Sequence, residues 1–150
     1  MDIEHESEDE RWLLLDVDHC AQGTHLQQFT EALREARQRG ISVALSKPCF
    51  ELRLLLHCVE ETALDPLPTA KDVEKALRDK LGQYNKTNLN REHFPLNSVC
   101  DACTRAGRLD ATVGGGDIPE ANTTRVYRLV KAIVSSALPS QLPPELRRLC

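Results

Sequence analysis

The chain has 150 residues, 41% of them apolar and 28% charged, which suits a soluble domain with its own core. The net charge of −4 excludes an extended basic surface, although a small site could still reach phosphate through metal ions. No run of about 18 apolar residues occurs, so no membrane span is expected. The acidic start MDIEHESEDE is unlike a signal peptide, which favours a cytoplasmic protein with reduced cysteines.

The first half of the chain predicts a strand–helix–strand unit. After a disordered tail at 1–10, WLLLD at 12–16 is typical of a strand buried on both faces. Residues 24–39 predict a helix with a Thr24–Gln27 capping box and Gly40 as its stop. ISVALSK at 41–47 predicts a second strand, parallel to the first.

The second half is predicted to be rich in helices, at 47–58, 70–82, 91–108 and 122–138. Pro48 suits the first position of a helix buried on most sides, and an Asn/Thr cap is expected to open the last helix. The Gly-rich stretch 110–120 predicts a flexible loop, and 139–150 a loose tail. The fold class is therefore α/β with one domain at 11–138, although two strands are few for a stable sheet.

The strongest candidate for chemistry is the acidic pair Asp16 and Asp18, directly after the first strand. Side chains two residues apart in an extended segment point to the same side, and open α/β sheets bind ligands at this edge. Two neighbouring carboxylates repel, and a hard cation such as Mg²⁺ would relieve that cost. Asp is also common in strand-to-helix loops, so the spacing alone leaves a turn or cap role open for Asp18.

Two further residues are expected near the same edge. Glu51 follows the second strand and could approach the acidic pair, although an acid in the first turn of a helix also interacts favourably with the helix dipole. Lys47 could contact a phosphate or offset the carboxylates. His19 could be a ligand or a base, but a lone exposed histidine is more often neither.

The remaining chemical motifs favour structural roles. His57 and Cys58 end a leucine-rich segment and are expected to pack or cap. Cys100 and Cys103 have the spacing of zinc ligands, but no second pair completes a four-ligand site. The triple glycine at 114–116 stands in no phosphate-binding frame.

The pieces together resemble the RloB family. The segments that carry the resemblance are LLLDVDH (13–19), ALSKPCFELRLLLH (44–57), YNK (84–86) and NTTRVYRLV (122–130). Their order and spacing match that family over roughly residues 11–138. The family usually has tryptophan where Arg53 stands here.

The resemblance implies a Toprim-like fold and a part in bacterial anti-phage abortive infection, beside an AAA-type or ABC-type ATPase. It implies a nuclease that uses Mg²⁺ or Mn²⁺ held by Asp16 and Asp18, with Glu51 near the same site and DNA or RNA as substrate. The family begins with an upstream strand–helix–strand segment that carries a further glutamate, and this segment is expected to be missing here. Loss of that segment would leave the nuclease inactive, and the alternative function is a non-catalytic partner or regulatory module that docks on the ATPase.

Overall fold

The computed structural model of the protein describes residues 9–18 and 23–149. The α/β class with a helix-rich second half is confirmed. The expected tail lies almost wholly outside the described residues. The strands are β1 (Arg11–Asp16), β2 (Ile41–Lys47) and β3 (Thr123–Thr124), and the α-helices are α1 (His25–Gln38), α2 (Glu51–Leu55), α3 (Ala70–Leu81), α4 (Leu96–Ala111) and α5 (Val126–Ser136).

The three strands form one sheet in the order β1–β2–β3. β1 and β2 are parallel, as predicted, with Arg11 beside Ile41 and Asp16 beside Ser46. β3 pairs antiparallel with the end of β2, where Thr124 lies beside Ser46. β3 was not predicted, because a strand of two residues is too short to show an alternating pattern.

The prediction that β1 is buried on both faces is wrong. Leu13 is 42% exposed and Leu14 is 45% exposed, although they point to opposite faces of the sheet. The reason is position: β1 pairs only with β2 within the described ranges, so it is an edge strand. The helices cover β2 instead, where Ala44 and Leu45 are buried.

Several predicted helix starts also differ from the structure. The helix expected at 47–58 is only the five-residue α2, and Pro48, which follows a cis peptide bond, precedes it. Thr24 forms no side-chain cap, and Gln27 bonds to Glu31 within α1 and does not complete a capping box. The helix expected at 91–108 is a 3-10 turn at 91–93 followed by α4, since Pro95 stands just before α4.

The Asn/Thr cap expected for the last helix is absent, because these residues anchor other parts of the chain. The Asn122 amide accepts from Leu67 N at 3.0 Å and donates to Leu67 O at 2.7 Å and to Lys47 O at 3.4 Å. The Thr124 and Ser46 hydroxyls lie 2.8 Å apart between β3 and β2. α5 therefore begins only at Val126, without a side-chain cap.

Asp110 on α4 is the buried anchor for this segment, with 8% of the residue exposed. Its carboxylate accepts from Thr123 Oγ1 at 3.2 Å, Arg125 Nε at 3.0 Å, Tyr127 OH at 3.0 Å and Arg128 Nη2 at 2.9 Å. Burial alone would raise the pKa of Asp110, but the hydrogen bonds and the two arginine charges lower it overall. The ionised carboxylate thus ties α4 to β3 and α5.

The Gly-rich segment before β3 is fastened to the rest of the molecule at several points. Lys47 Nζ donates to Pro119 O at 3.1 Å and to Glu120 O at 3.2 Å, and Arg125 Nη1 donates to Asp117 O at 3.0 Å. Gly115 is required, because its φ is +99° and a Cβ there would lie 2.4 Å from Ile118 O.

Residues 139–149, expected as part of a loose tail, form two 3-10 turns at 139–141 and 144–149. The second turn packs against α4 and α5. Leu142 is buried, and the Cys100 thiol donates to Glu145 O at 2.9 Å.

No helix within the described ranges is long and apolar enough to cross a membrane.

Arg53 is a buried charge to which no carboxylate within the described ranges is paired. Only 4% of the residue is exposed. Its Nη2 donates to Cys103 Sγ at 3.3 Å, and its Nη1 has no hydrogen-bond partner in the described part of the chain. A buried guanidinium without a matching acid costs folding free energy.

Replacing Asp110 by Asn should destabilise the fold by about 3 kcal/mol, because Arg125 would then be a buried charge without a counter-charge. Urea unfolding of both proteins measures this. Asp101→Asn is the matched control on the same helix, since its side chain is about half exposed and its arginine contact is 4.0 Å long. Equal losses for the two variants would contradict the anchor role of Asp110.

Replacing Arg53 by Met should stabilise the fold by about 1 kcal/mol, because the unpaired buried charge disappears while apolar volume is kept. Thermal unfolding gives the shift in Tm. Arg105→Met is the contrasting variant and should destabilise, since Arg105 donates to Leu56 O, His57 O and Glu60. A fall in the Tm of Arg53→Met would show that the thiol contact is favourable.

Candidate functional site

The acidic pair lies at the carboxyl end of β1, as predicted. Asp16 is the last residue of β1. The pairing with the second strand continues past it, through Val17 N to Ser46 O at 2.9 Å and Asp18 N to Pro48 O at 3.2 Å. The backbone thus stays alongside the end of β2, and side chains 16 and 18 project toward the same side.

The Asp16 carboxyl is the electrostatic centre of this edge. Burial raises its pKa, and the nearby carboxylates of Glu51 and Asp18 raise it further. The backbone N–H of Phe50 donates to the carboxylate and partly opposes this. Three acids are therefore close enough for their charges to interact, and a cation placed among them would be stabilised.

Glu51, at the start of α2, is held by two neighbours that keep their protons. Tyr84 OH lies 3.4 Å from Glu51 Oε1, and the Cys49 thiol also bonds to this carboxylate. Burial and the Glu51 charge raise the pKa of both the Tyr84 hydroxyl and the Cys49 thiol. Neither group is a nucleophile at neutral pH in this state, so both act as hydrogen-bond donors to Glu51.

Lys47, which was also predicted near this edge, uses its charge in contacts with another segment. Lys47 Nζ is bonded to the carbonyls of Pro119 and Glu120, so its charge is used to hold the Gly-rich segment. A phosphate contact by Lys47 would require these bonds to exchange. His19 lies outside the described residues.

The other candidates have structural contacts. His57 Nδ1 lies 2.7 Å from Ser98 Oγ, and its ring packs edge-on against Phe94. Burial and the charges of Arg53 and Arg105 lower the pKa of His57 to about 4. Cys100 and Cys103 are both buried in α4. These contacts support the packing roles expected for His57 and the cysteine pair.

The donors at the β1 edge meet some of the requirements of Mg²⁺ and not others. All the charged donors are oxygen atoms, the type that Mg²⁺ prefers. Within the described ranges, however, no group of three or more His, Cys, Asp or Glu residues is arranged to hold a metal ion. Mg²⁺ usually keeps several waters and takes one or two carboxylates plus substrate phosphates. The edge fits such a partly hydrated ion and not an all-protein cage.

Sequence reasoning missed the groups that position the acids. Tyr84 stands out in the sequence only as part of the YNK segment, and the N–H of Phe50 carries no sequence signal because every residue but proline has one. The acids themselves were found because strand ends and helix starts are legible in a sequence. The neighbours of these acids depend on how the segment after α3 folds back onto the site, and the sequence does not show this.

A family model of RloB-like proteins matches residues 1–133. The chain belongs to the RloB-like protein family. All four segments that suggested the resemblance lie within the matched region of this RloB-like protein, so the recognition is confirmed. No curated protein and no solved structure matches the chain significantly.

The structure gives the RloB-like segments physical roles. ALSKPCFELRLLLH contains most of β2 and all of α2, and so carries Glu51 next to the acidic edge. NTTRVYRLV supplies β3, the hydrogen-bond donors to the Asp110 carboxylate and the first residues of α5. YNK contributes the Tyr84 hydroxyl to Glu51.

His57 should make the stability of the fold depend on pH in mildly acidic solution. The pKa of His57 is about 4 in the folded chain and 6.5 ordinarily, so between these values the unfolded chain binds more protons. This contribution is fully present above pH 6.5 and is lost as the pH falls toward 4. In His57→Asn, unfolding free energies measured from pH 4 to 8 should lack a pH-dependent component of about 3 kcal/mol. A difference from wild type that is constant over this range would contradict the assignment.

Proposed function

We propose that this RloB-like protein is a Mg²⁺-dependent, nuclease-type component of a bacterial anti-phage abortive-infection system. The observation that carries the proposal is the group of acids at the carboxyl edge of two parallel strands, where burial and then the charges of Glu51 and Asp18 raise the pKa of Asp16. Open α/β sheets commonly bind ligands at this edge. The defence context and the AAA-type or ABC-type ATPase partner are part of the proposal and follow from the resemblance to the family, and the proposed cytoplasmic location follows from the acidic start of the sequence.

In this proposal the chain's own residues position the charges. The backbone N–H of Phe50 favours the ionised form of Asp16, and the Tyr84 hydroxyl donates a hydrogen bond to Glu51. Mg²⁺, when bound, would activate a water and offset charge on the phosphate during in-line displacement. Asp16 and Asp18 would hold the ion, while Glu51 would bind it through water or accept a proton from the attacking water.

Calorimetric titration with Mg²⁺ and Mn²⁺ tests the metal site. Wild type should bind either ion in the millimolar range, and Asp16→Asn and Glu51→Gln should weaken binding about tenfold, because each removes a charge and keeps the shape. Asp79→Asn is the control, since Asp79 is an exposed acid on α3 that pairs with Lys75. Binding that is absent in wild type, or equal in Asp16→Asn, would rule out the site.

Cleavage of labelled single-stranded DNA and RNA tests the reaction itself. Activity should require added Mg²⁺ or Mn²⁺ and disappear in EDTA, and Asp16→Asn should lower it at least a hundredfold. Metal binding without cleavage by wild type would support the reading of an inactive nuclease that keeps its ancestral site.

The free edge of β1 favours a second candidate function, a module that docks on a defence ATPase. Leu13 and Leu14 are exposed beside backbone groups that no strand within the described ranges pairs with. Such an edge can accept a strand from another protein. Leu14→Lys should then abolish copurification with an ATPase encoded beside the gene, while Leu26→Lys, a similarly exposed leucine on α1, should not.

A further inference from the structure

A cavity of about 540 Å³ lies next to the acidic edge, in the segment between α3 and α4. Its lining extends from Gln83 to Phe94, just before α4, and includes Tyr84, the residue whose hydroxyl contacts Glu51. The cavity therefore shares one side chain with the candidate metal site. The chemistry of the remaining lining indicates what would enter it.

Side-chain amides dominate the polar part of the lining, and they come from Gln83, Asn85, Asn88 and Asn90. Asn85 and Asn90 use their carbonyl oxygens to hold local turns, at Thr87 and Glu92. Their NH₂ groups, and both ends of the Gln83 and Asn88 amides, make no hydrogen bond to other described residues. The wall thus offers donors and acceptors side by side, as the edge of a nucleobase does.

Aromatic and apolar side chains form the rest of the wall. Tyr84 and Phe94 are half-buried and pack on the core beside α2 and α3, which fixes their rings. His93 stacks edge-on against Phe94, with ring centroids 6.2 Å apart. Leu89 is 44% exposed at the cavity. Rigid rings next to free amides are the combination with which proteins stack and read an unpaired base.

Arg91 supplies the charge at this cavity. Its guanidinium is exposed and makes no ion pair within the described chain. A guanidinium beside a base-sized cavity can contact the phosphate attached to that base. Because one arginine is involved and the chain carries a net charge of −4, base contacts must supply most of the affinity.

We infer that this cavity binds one unstacked base of a single-stranded nucleic acid and so places the adjoining phosphodiester at the acidic edge. The inference rests on the proposed function, since it names the substrate class of that site. A paired duplex would not present its base to the amides, so single strands are expected to bind and duplexes are not.

Fluorescence anisotropy with labelled single-stranded DNA and RNA of ten nucleotides tests the cavity. The measurement is made in EDTA, so that neither cleavage nor metal binding affects it. Wild type should bind single strands at least tenfold more tightly than the matching duplex. The salt dependence should be shallow, with a slope near −0.7 in log–log form, because about one phosphate contact is made.

Two substitutions at exposed cavity residues identify the surface. Asn88→Asp replaces an amide donor by a negative charge, and Arg91→Gln removes the phosphate contact, so each should weaken binding about tenfold. Asn97→Asp and Arg34→Gln make the same charge changes at exposed positions on α4 and α1, and they should bind like wild type. Circular dichroism checks that all four variants fold.

The outcomes separate this inference from the proposed function. If cavity variants bind strands like wild type, or if duplex binds as well as single strand, the inference is wrong even where Mg²⁺-dependent cleavage occurs. If single strands bind and the cavity variants weaken them, the inference holds even where Mg²⁺ titration fails. Ultraviolet cross-linking of a 4-thiouridine strand should place the modified peptide at 83–94, and a cross-link confined to another segment would overturn it.

Discussion

The buried ion pair between Asp110 and Arg125 is the interaction on which the second half of the molecule depends. The carboxylate on α4 accepts hydrogen bonds from Thr123 in β3 and from Arg125 and Tyr127 at the start of α5, and so joins three elements. Four donors satisfy the charge, so its burial is compensated. Without this centre, the two-residue β3 has few contacts to hold it against the sheet.

The same segment also helps to fix the position of the candidate site. Asn122, just before β3, bonds to the backbone at Lys47 and Leu67, and Thr124 reaches Ser46. These contacts fix the end of β2, from which the chain turns through Pro48 to Glu51. The position of the site acid is thus set partly by residues about 70 positions later in the sequence. A motif that looks like a helix start serves as a clamp on the strand that leads to the site.

The elements with regular patterns were predictable, and those fixed by side-chain contacts were not. β1, β2, α1, α3 and α5 follow apolar spacing, and the parallel pairing of β1 with β2 follows from their short connection. The Thr69–Asp72 capping box has an aspartate at the third helical position, where the usual pattern has Glu or Gln, so the sequence pattern does not indicate it. β3 and the fastening of the Gly-rich segment depend on Asp110, Asn122 and Lys47, and single polar residues show no periodicity. For the site, the acids could be named from strand ends, whereas Tyr84 could not.

Arg53 is a charged side chain in surroundings that are otherwise apolar. The surrounding residues Leu52, Leu54 and Leu55 form an apolar core, and the nearest partner for the guanidinium is a thiol. A thiol is a weaker hydrogen-bond partner for a guanidinium than a carboxylate is. The buried Arg53 charge therefore destabilises the fold, and the Asp110 centre and the α2–α3 core must offset this cost.

The edge position of β1 has a consequence for hydrogen exchange along that strand. The Val17 N–H points to β2. Alternate residues of a parallel ladder share that direction, so the backbone N–H groups of Leu13 and Leu15 also point to β2. The amide hydrogens of Trp12, Leu14 and Asp16 face outward. Deuterium uptake should therefore alternate residue by residue along β1, and the fast-exchanging positions would report directly when another strand covers that edge.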